Sequence, residues 1–544
     1  MRSIILLYTF LLLTSTSLFA QSRPDIVFIL ADDLGFSDIG CYGGEIRTPA
    51  LDNLANSGIR FRQFYNASRC CPTRASLLTG QYAHRVGLKT NGKSLSKSGV
   101  TIAELLKASG YQTSMSGKWH LSFTPQLQDK NLHQQWIDHR HGNDLPFAPL
   151  DSYPVRRGFD RHFGIIWGVI NYFDPFSLVD GTTTVKNVPE NFYITDAITD
   201  HAVNAVQDFS KNEKPFFLYV AHCAPHWPLH ALPEDIARYK NVYKEGWHAL
   251  RENRHKQLKK IGAIGTQEIV KLQGIGNDWD LLNPQEKEIA QTKMAVHAAM
   301  VDRMDQGIGK IVAALKNAGR FDNTLIIFLS DNGASPESVG QPGYDRSSMT
   351  RGGKLMQYSG FKPADIGAQT TYSSIGSWWA NAANTPWRYW KKESYEGGIH
   401  TPMIVHWPKV LKSNGGSWND YPGHVIDLLP TCLDVAGLKY PANFNGNLLG
   451  DLDGQSLMPA LLGKIKQRQA PLFFEHERGR AVRKGDWKLV ASSLPNSKWE
   501  LFNLSKDPFE KYDLAASEVT IRDELITLWN EWAKKIGAQT KMSP

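Results

Sequence analysis

Apolar and polar positions along the chain follow two alternating patterns. Asp25-Ile26-Val27-Phe28-Ile29-Leu30 is a continuous apolar run of the kind buried on both faces of a parallel sheet, and it ends in Ala31-Asp32-Asp33-Leu34-Gly35. Two carboxylates are thereby predicted at the carboxyl end of a strand, where open α/β sheets place their ligands. Residues 48–58 (TPALDNLANSG) predict a helix with Thr48 as its cap, Pro49 in the first turn and Gly58 as the stop. Residues 101–110 repeat that arrangement, and a strand over 112–116 follows. Phe216–Ala221 (FFLYVA) and residues 324–329 (TLIIFL) predict further buried strands, the second preceded by a long amphipathic helix over about 285–318. A helix over 425–437 closes this part.

Strands alternating with helices predict an α/β fold: a large, mostly parallel mixed sheet flanked by helices. After about residue 465 the pattern changes to short alternating runs (APLFFEH, GRAVRKGDWKLVASS, SKWELFNL) followed by a helix at 518–535. This tail predicts a small C-terminal antiparallel sheet packed on a helix. Residues 336–386, rich in Ser, Gly, Tyr and Trp with weak periodicity, read as a long loop of the kind that is functional or mobile. The expected division is 1–20 as a signal peptide, 21–464 as a catalytic domain and 465–544 as an α+β subdomain.

The division at residue 20 rests on Arg2, the apolar run IILLYTFLLL and the small residues ending at Ala20, which together read as a secretory signal. The run is too short to span a bilayer, so the expectation is an exported protein, periplasmic or secreted, with no membrane span. Across 544 residues, 61 Lys+Arg stand against 53 Asp+Glu, a net charge of +8. The excess is not gathered into basic blocks, which argues against nucleic acid as a partner and leaves room for a polyanionic substrate. The five cysteines, Cys41, Cys70, Cys71, Cys223 and Cys432, are odd in number and define no disulfide framework.

One of those cysteines opens the sharpest local motif, Cys70-Cys71-Pro72-Thr73-Arg74-Ala75-Ser76-Leu77-Leu78-Thr79-Gly80. Taken alone it reads as a helix start with two buried thiols. The pattern C-x-P-[ST]-R followed by x-x-L-x-T-G resembles the signature of the type I sulfatases, within the alkaline-phosphatase superfamily. The resemblance implies that the first cysteine, here Cys70, is oxidised to Cα-formylglycine by a formylglycine-generating maturation enzyme. Cys71 would break the spacing to Pro72 and Arg74.

Other segments similar to that family appear in order. Asp32-Asp33 and Ser330-Asp331-Asn332-Gly333 each follow an apolar strand, and oxygen ligands of that kind suit Ca²⁺ or Mg²⁺ rather than zinc. By resemblance, Asp32, Asp33, Asp331 and Asn332 hold one Ca²⁺ that also contacts the oxygen of modified Cys70. Gly117-Lys118-Trp119-His120-Leu121 and Pro225-His226-Trp227-Pro228 again sit beyond predicted strands. The segment Lys391-Lys392-Glu393-Ser394-Tyr395-Glu396-Gly397-Gly398 is similar to a family K-x-x-x-[aromatic or His]-E-G-G element. Counting back four from Tyr395 selects Lys391, with Lys392 as the fallback. Two further features, Arg157-Gly158-Phe159-Asp160 and the aromatics Trp378, Trp379, Trp387, Tyr389 and Trp390, could line a substrate side or simply pack.

Sulfate-ester cleavage needs charge neutralisation, a nucleophile and a proton donor. The cation with Arg74, Lys118 and Lys391 would supply the first, and one hydroxyl of the hydrated aldehyde the second. His226, with Lys391, would protonate the leaving alcohol, and His120 would deprotonate the second hydroxyl as sulfate departs. The expected enzyme is a sulfatase, a sulfuric ester hydrolase. Export and the aromatic loop point to a sulfated glycan, a polysaccharide or its oligosaccharides, such as algal ulvan or carrageenan. The alternatives are a phosphate or phosphonate ester hydrolase of the same superfamily and a catalytically silent carbohydrate-binding relative.

Overall fold

The computed structural model describes residues 23–142, 144–411 and 415–538; the signal segment expected at 1–20 lies outside them. Among the described residues ten strands form the main sheet: β1 (Asp25–Ala31), β2 (Ile59–Phe61), β3 (Gln112–Gly117), β4 (Arg161–Ile165), β5 (Leu178–Asp180), β6 (Thr183–Thr184), β7 (Phe216–Ala221), β8 (Thr324–Ser330), β9 (Met403–His406) and β10 (Ser417–Asn419). Their spatial order is β10-β2-β9-β8-β1-β7-β3-β4-β5-β6. The five central strands from β8 to β4 run parallel, whereas β9 is antiparallel to β8 and β4, β5 and β6 form an antiparallel meander. The mixed, mostly parallel sheet expected from the apolar runs is thus present.

Those runs are apolar throughout because each strand feeds two cores. Val27 and Ile29 enter a core shared with α1 (Pro49–Ser57), α4 (Ile194–Phe209) and α5 (Pro284–Asn317), while Ile26, Phe28 and Leu30 enter the opposite core with α2 (Cys70–Thr79), α3 (Ile102–Ala108) and α6 (Leu428–Ala436). Side chains alternate across a strand, so a run with both parities apolar is the signature of a doubly covered strand. Some helix starts follow the local capping rules and others do not. Thr101 and Asn283 form capping boxes with Glu104 and Glu286, but Thr48 makes no side-chain cap. Its hydroxyl instead accepts from Gly40 N at 2.8 Å. The first turn of α1 is capped from a distance by Asp305 of α5, whose carboxylate accepts from Ala50 N and Leu51 N at 2.9 and 2.8 Å.

Register decides what converges at the carboxyl edge. Ala31 of β1 pairs with Ser330 of β8, and Gly117 of β3 with Ala221 of β7. Asp32, Lys118, His222 and Asp331 therefore leave adjacent strands at one level. The crossing is tight at Gly117, at φ 110°, where an added Cβ would lie 2.0 Å from the Ala221 carbonyl oxygen.

The C-terminal sheet is antiparallel, β11 (Leu472–His476), β12 (Gly479–Lys484), β13 (Trp487–Ala491) and β14 (Glu500–Asn503), and α7 (Val519–Ile536) packs on it. Its core includes Tyr65, Tyr82, Tyr395 and Ile399 of the larger unit. An internal ion cluster ties the two: Lys488 Nζ of β13 lies 2.7 Å from both Glu396 Oε1 and Glu510 Oε1, all three buried. Tyr65 donates to the other Glu396 oxygen at 3.0 Å, and His400 Nδ1 lies 2.8 Å from it. Removing one partner of such a cluster strands buried charge, which typically costs about 3–5 kcal/mol. Lys488→Met should therefore lower the unfolding free energy in urea by about that amount.

Candidate active site

Six sequence segments meet above the carboxyl ends of β1, β3, β7 and β8. Asp32, Asp33, Asp331 and Asn332 are buried together. Ligand atoms of Asp32, Asp331 and the Cys70 thiol lie within 4.8 Å of one another, as do those of Asp32, Asp33 and His226. Cations answer the carboxylates one by one. Lys118 Nζ donates to Asp32 Oδ2 at 2.5 Å, and Arg74 donates from Nε and Nη2 to Asp331 Oδ2 at 3.0 and 2.8 Å. Lys391 Nζ donates to Asp33 Oδ2 at 2.8 Å, and Asn332 Nδ2 to Asp33 Oδ1 at 2.6 Å. Arg74 reaches this position because α2 is buried along its whole length, and Nη1 is tied to the Lys118 carbonyl at 2.9 Å.

Electrostatics show the strain of so many carboxylates in one place. Burial and then the neighbouring Asp32 charge push the Asp331 carboxyl up to about 7, against the pull of Arg74. Burial acts on Asp32 in the same direction, but Lys118, His226, Arg74 and Lys391 together hold it well below the usual range. Asp32 Oδ1 and Asn332 Oδ1 are buried without a hydrogen-bond partner. Orphaned acceptors beside ionised carboxylates are the donor set of a hard, oxygen-binding cation, so the residues present fit Ca²⁺.

The structure separates the paired alternatives. Cys70 faces the carboxylates, and burial pushes its thiol pKa up. Cys71 packs in the apolar core under the sheet. All five cysteines are buried and free. Lys391 is buried against Asp33, with His226 Nε2 3.3 Å from its Nζ, whereas Lys392 is partly exposed and pairs with Glu337 at 2.9 Å. His120 stands in the left-handed region at φ 59°, its Nδ1 buried without a partner. A Cβ on Gly168 would lie 2.4 Å from His120 Nε2, so only glycine leaves this ring its place.

Other expectations resolve as packing. Arg157 is a clamp, donating to the Leu95 and Gly99 carbonyls at 3.0 and 2.7 Å and pairing with Glu104 at 3.1 Å. Trp379 and Trp387 are buried, and Trp378 stacks on Trp247 with centroids 5.4 Å apart. Part of the long 336–386 segment is helical, Gly376–Ala383. Within that segment lies a site residue that sequence reasoning missed, Glu337. It accepts from Arg69 Nη1 at 2.8 Å and from Trp227 Nε1 at 3.0 Å, and lies 3.6 Å from Lys391. Its one sequence signal is its place four residues beyond Gly333.

This fold and this edge of carboxylates, cations and a buried cysteine belong to a hydrolase class, and the sequence match is direct. The sulfatase family profile matches residues 24–438 and the N-sulphoglucosamine sulphohydrolase C-terminal profile residues 386–534, so the chain belongs to the sulfatase family and is a sulfuric ester hydrolase of alkaline-phosphatase-like fold. It is 32% identical to an arylsulfatase of Klebsiella aerogenes over 83% of this chain and 95% of that one. It is 26% identical to an N-acetylglucosamine-6-O-sulfatase of Bacteroides thetaiotaomicron over 94% and 87% of the two chains. Among solved structures, Ps i-CgsB in complex with k-i-k-neocarrahexaose superposes with a TM-score of 0.64 at 27% identity, over 94% of this chain and 93% of that one.

The loop after β7 carries three buried histidines, His222, His226 and His230, and burial lowers each to about 4. For His230 the bonding demands the neutral ring: Nδ1 accepts from Tyr172 N at 3.2 Å, so Nε2 carries the proton and donates to the Thr371 carbonyl at 2.6 Å. A free histidine titrates near 6.5, so between about pH 6.5 and 4 unfolding takes up a proton here. Stability therefore falls as pH is lowered through that window, by about 1.4 kcal/mol per pH unit for one such group. In denaturant titrations from pH 6.5 to 4.5, His230→Gln should flatten the pH dependence by about that slope.

Proposed function

We propose that the enzyme removes sulfate from a sulfated carbohydrate, a polysaccharide or its oligosaccharides such as ulvan or carrageenan, using Cys70 as Cα-formylglycine beside one Ca²⁺. The observation that carries the reading is the buried meeting of Cys70 with Asp32 and Asp331. Asp32, Asp33, Asp331 and Asn332 would hold the cation, which supplies positive charge against the sulfate oxygens. A hydrated aldehyde at residue 70 supplies a nucleophile with a second hydroxyl for releasing sulfate.

The chain's own groups prepare the rest. Lys118 and Arg74 keep their positive charge because Asp32 and Asp331 face them, and they project it into a site walled off from water, where it acts strongly. Near the leaving oxygen the proton sits on Lys391 Nζ. His226 Nδ1 contacts the Trp227 carbonyl at 2.5 Å, which makes it the protonated nitrogen and leaves Nε2 to accept from Lys391. His226 can thus relay or orient the Lys391 proton toward the departing alcohol. Burial and the Lys118 and Arg74 charges hold His120 well below its ordinary value, so its ring is neutral and able to take a proton.

The carbohydrate assignment is supported by the sugar-directed names of the relatives. We further assign residues 21–464 to the catalytic domain and 465–544 to the C-terminal subdomain, with export to the periplasm or medium after cleavage behind Ala20. N-terminal sequencing of the exported protein should then begin at Gln21.

Mass spectrometry of the Cys70 peptide, from enzyme made with and without a formylglycine-generating partner, tests the centre. The aldehyde should appear at residue 70 and track turnover. Cys70→Ala should lose turnover by several orders of magnitude with its urea midpoint unchanged. An aldehyde at Cys71, or full activity without one, overturns the reading. Defined ulvan, carrageenan and glycosaminoglycan fragments, assayed beside matched phosphate esters, test the substrate. Activity confined to small aryl or alkyl sulfates, or a large preference for phosphate, refutes the carbohydrate assignment.

A further inference from the structure

A second cluster, outside the carboxylate centre, lies where the small sheet meets the segments carrying Cys70 and Lys391. Arg69 precedes Cys70 in the chain and Lys392 follows Lys391, and both side chains end on one carboxylate oxygen. Arg69 Nη1 and Lys392 Nζ lie 2.8 and 2.9 Å from Glu337 Oε1. Lys391 is already matched by Asp33 at 2.8 Å, so Glu337 serves two further cations with a single negative charge. Among the described residues the Arg69 guanidinium makes no other side-chain hydrogen bond, which leaves N–H donors open on a planar fork suited to oxyanions.

The third member comes from the C-terminal sheet. The β11–β12 hairpin tip presses on the Lys391-Lys392 segment, so that a Cβ on Gly479 would lie 3.2 Å from the Lys392 carbonyl oxygen. His476, the last residue of β11, is 2% exposed, and neither ring nitrogen has a hydrogen-bond partner. The Glu477 carboxylate, 3.6 Å from Nε2, is beyond hydrogen-bond reach and points from an exposed side chain. After burial itself, the charges acting most strongly on the ring are those of Arg69 and Lys392; the Lys89 main chain offers it a hydrogen-bonding contact outside good geometry, and His84 is its other polar neighbour. A buried, unsatisfied imidazole beside two cations with spare donors is costly in the free protein. A bound anion would satisfy all three groups.

We propose that Arg69, Lys392 and His476 form a second oxyanion subsite, which receives a carboxylate or a further sulfate of the substrate while the Cys70 centre receives the sulfate being removed. The enzyme is thereby selective for substrates carrying two anionic groups. The proposal rests on Cys70 as the reacting residue but not on the substrate being a carbohydrate.

The test uses full-length, aldehyde-bearing enzyme and three aryl sulfates: an unsubstituted monosulfate, the same ring with a carboxylate, and the same ring with a second sulfate. Wild type should favour at least one dianion over the monosulfate by roughly tenfold in kcat/KM. That ratio should fall toward one, through KM, in Lys392→Gln and in His476→Asn. Lys392 is partly exposed, so its variant keeps the test alive even if His476→Asn fails to fold. Which dianion is favoured distinguishes a carboxylate from a sulfate as the ligand. Equal kcat/KM for all three substrates in wild type, or an unchanged ratio in Lys392→Gln, overturns the subsite. Failure of aldehyde-bearing enzyme to turn over any of the three, together with failure on the sulfated carbohydrate fragments, instead overturns the reading of the Cys70 centre.

Discussion

Three buried carboxylates share one end of the central strands, and much of the molecule is arranged to make that tolerable. Like charges at this spacing in a water-poor interior repel strongly, and burial, joined by the Asp32 charge, pushes the Asp331 carboxyl up to about 7. Arg74, Lys118 and Lys391 each answer one acid, and each comes from a different part of the chain. The helix bearing Arg74 must be wholly buried, the strand bearing Lys118 must end beside β7, and the Lys391 segment must be pinned from behind. The proposed sulfate and cation sites rest on this matched set of charges.

The pinning explains why a separate small sheet is present. Lys488 reaches through the interface to Glu396, five residues beyond Lys391, and the shared aromatic core takes in Tyr395 and Ile399 of the same segment. The C-terminal sheet is therefore a brace behind the Lys391 segment, and its hairpin tip, next to His476, packs against the Lys392 main chain. Positioning and recognition would then come from one sheet, since Lys488 on β13 and His476 at the end of β11 belong to the same four antiparallel strands.

Much of this was legible in the residues themselves. Both-parity apolar runs at β1, β7 and β8 identified doubly covered strands, and the acids immediately after β1 and β8 located the sheet edge. What was not legible has a common cause. Thr48 looked like a cap, but Asp305 performs the capping from 257 positions after it in the chain (305 minus 48). Trp379 and Trp387 looked available for sugar stacking, but their burial depends on the helix Gly246–Lys260 and on His400. Glu337 stood in a segment without periodicity, and its significance lies wholly in the three cations it meets.

The choice between neighbouring residues shows the same division. By resemblance to the family motifs, spacing from Pro72 favours Cys70 over Cys71, and spacing from Tyr395 favours Lys391 over Lys392. The sequence by itself determined the fold class, the sheet edge that carries the candidate site and the inventory of groups there, because strand periodicity and motif spacing are local properties of the chain. Only the tertiary structure decided which acid faces which cation, which ring stays neutral and what braces the site from behind. Those outcomes depend on burial and on distances between segments hundreds of residues apart, where Coulomb energies change with ångströms and no local pattern records them.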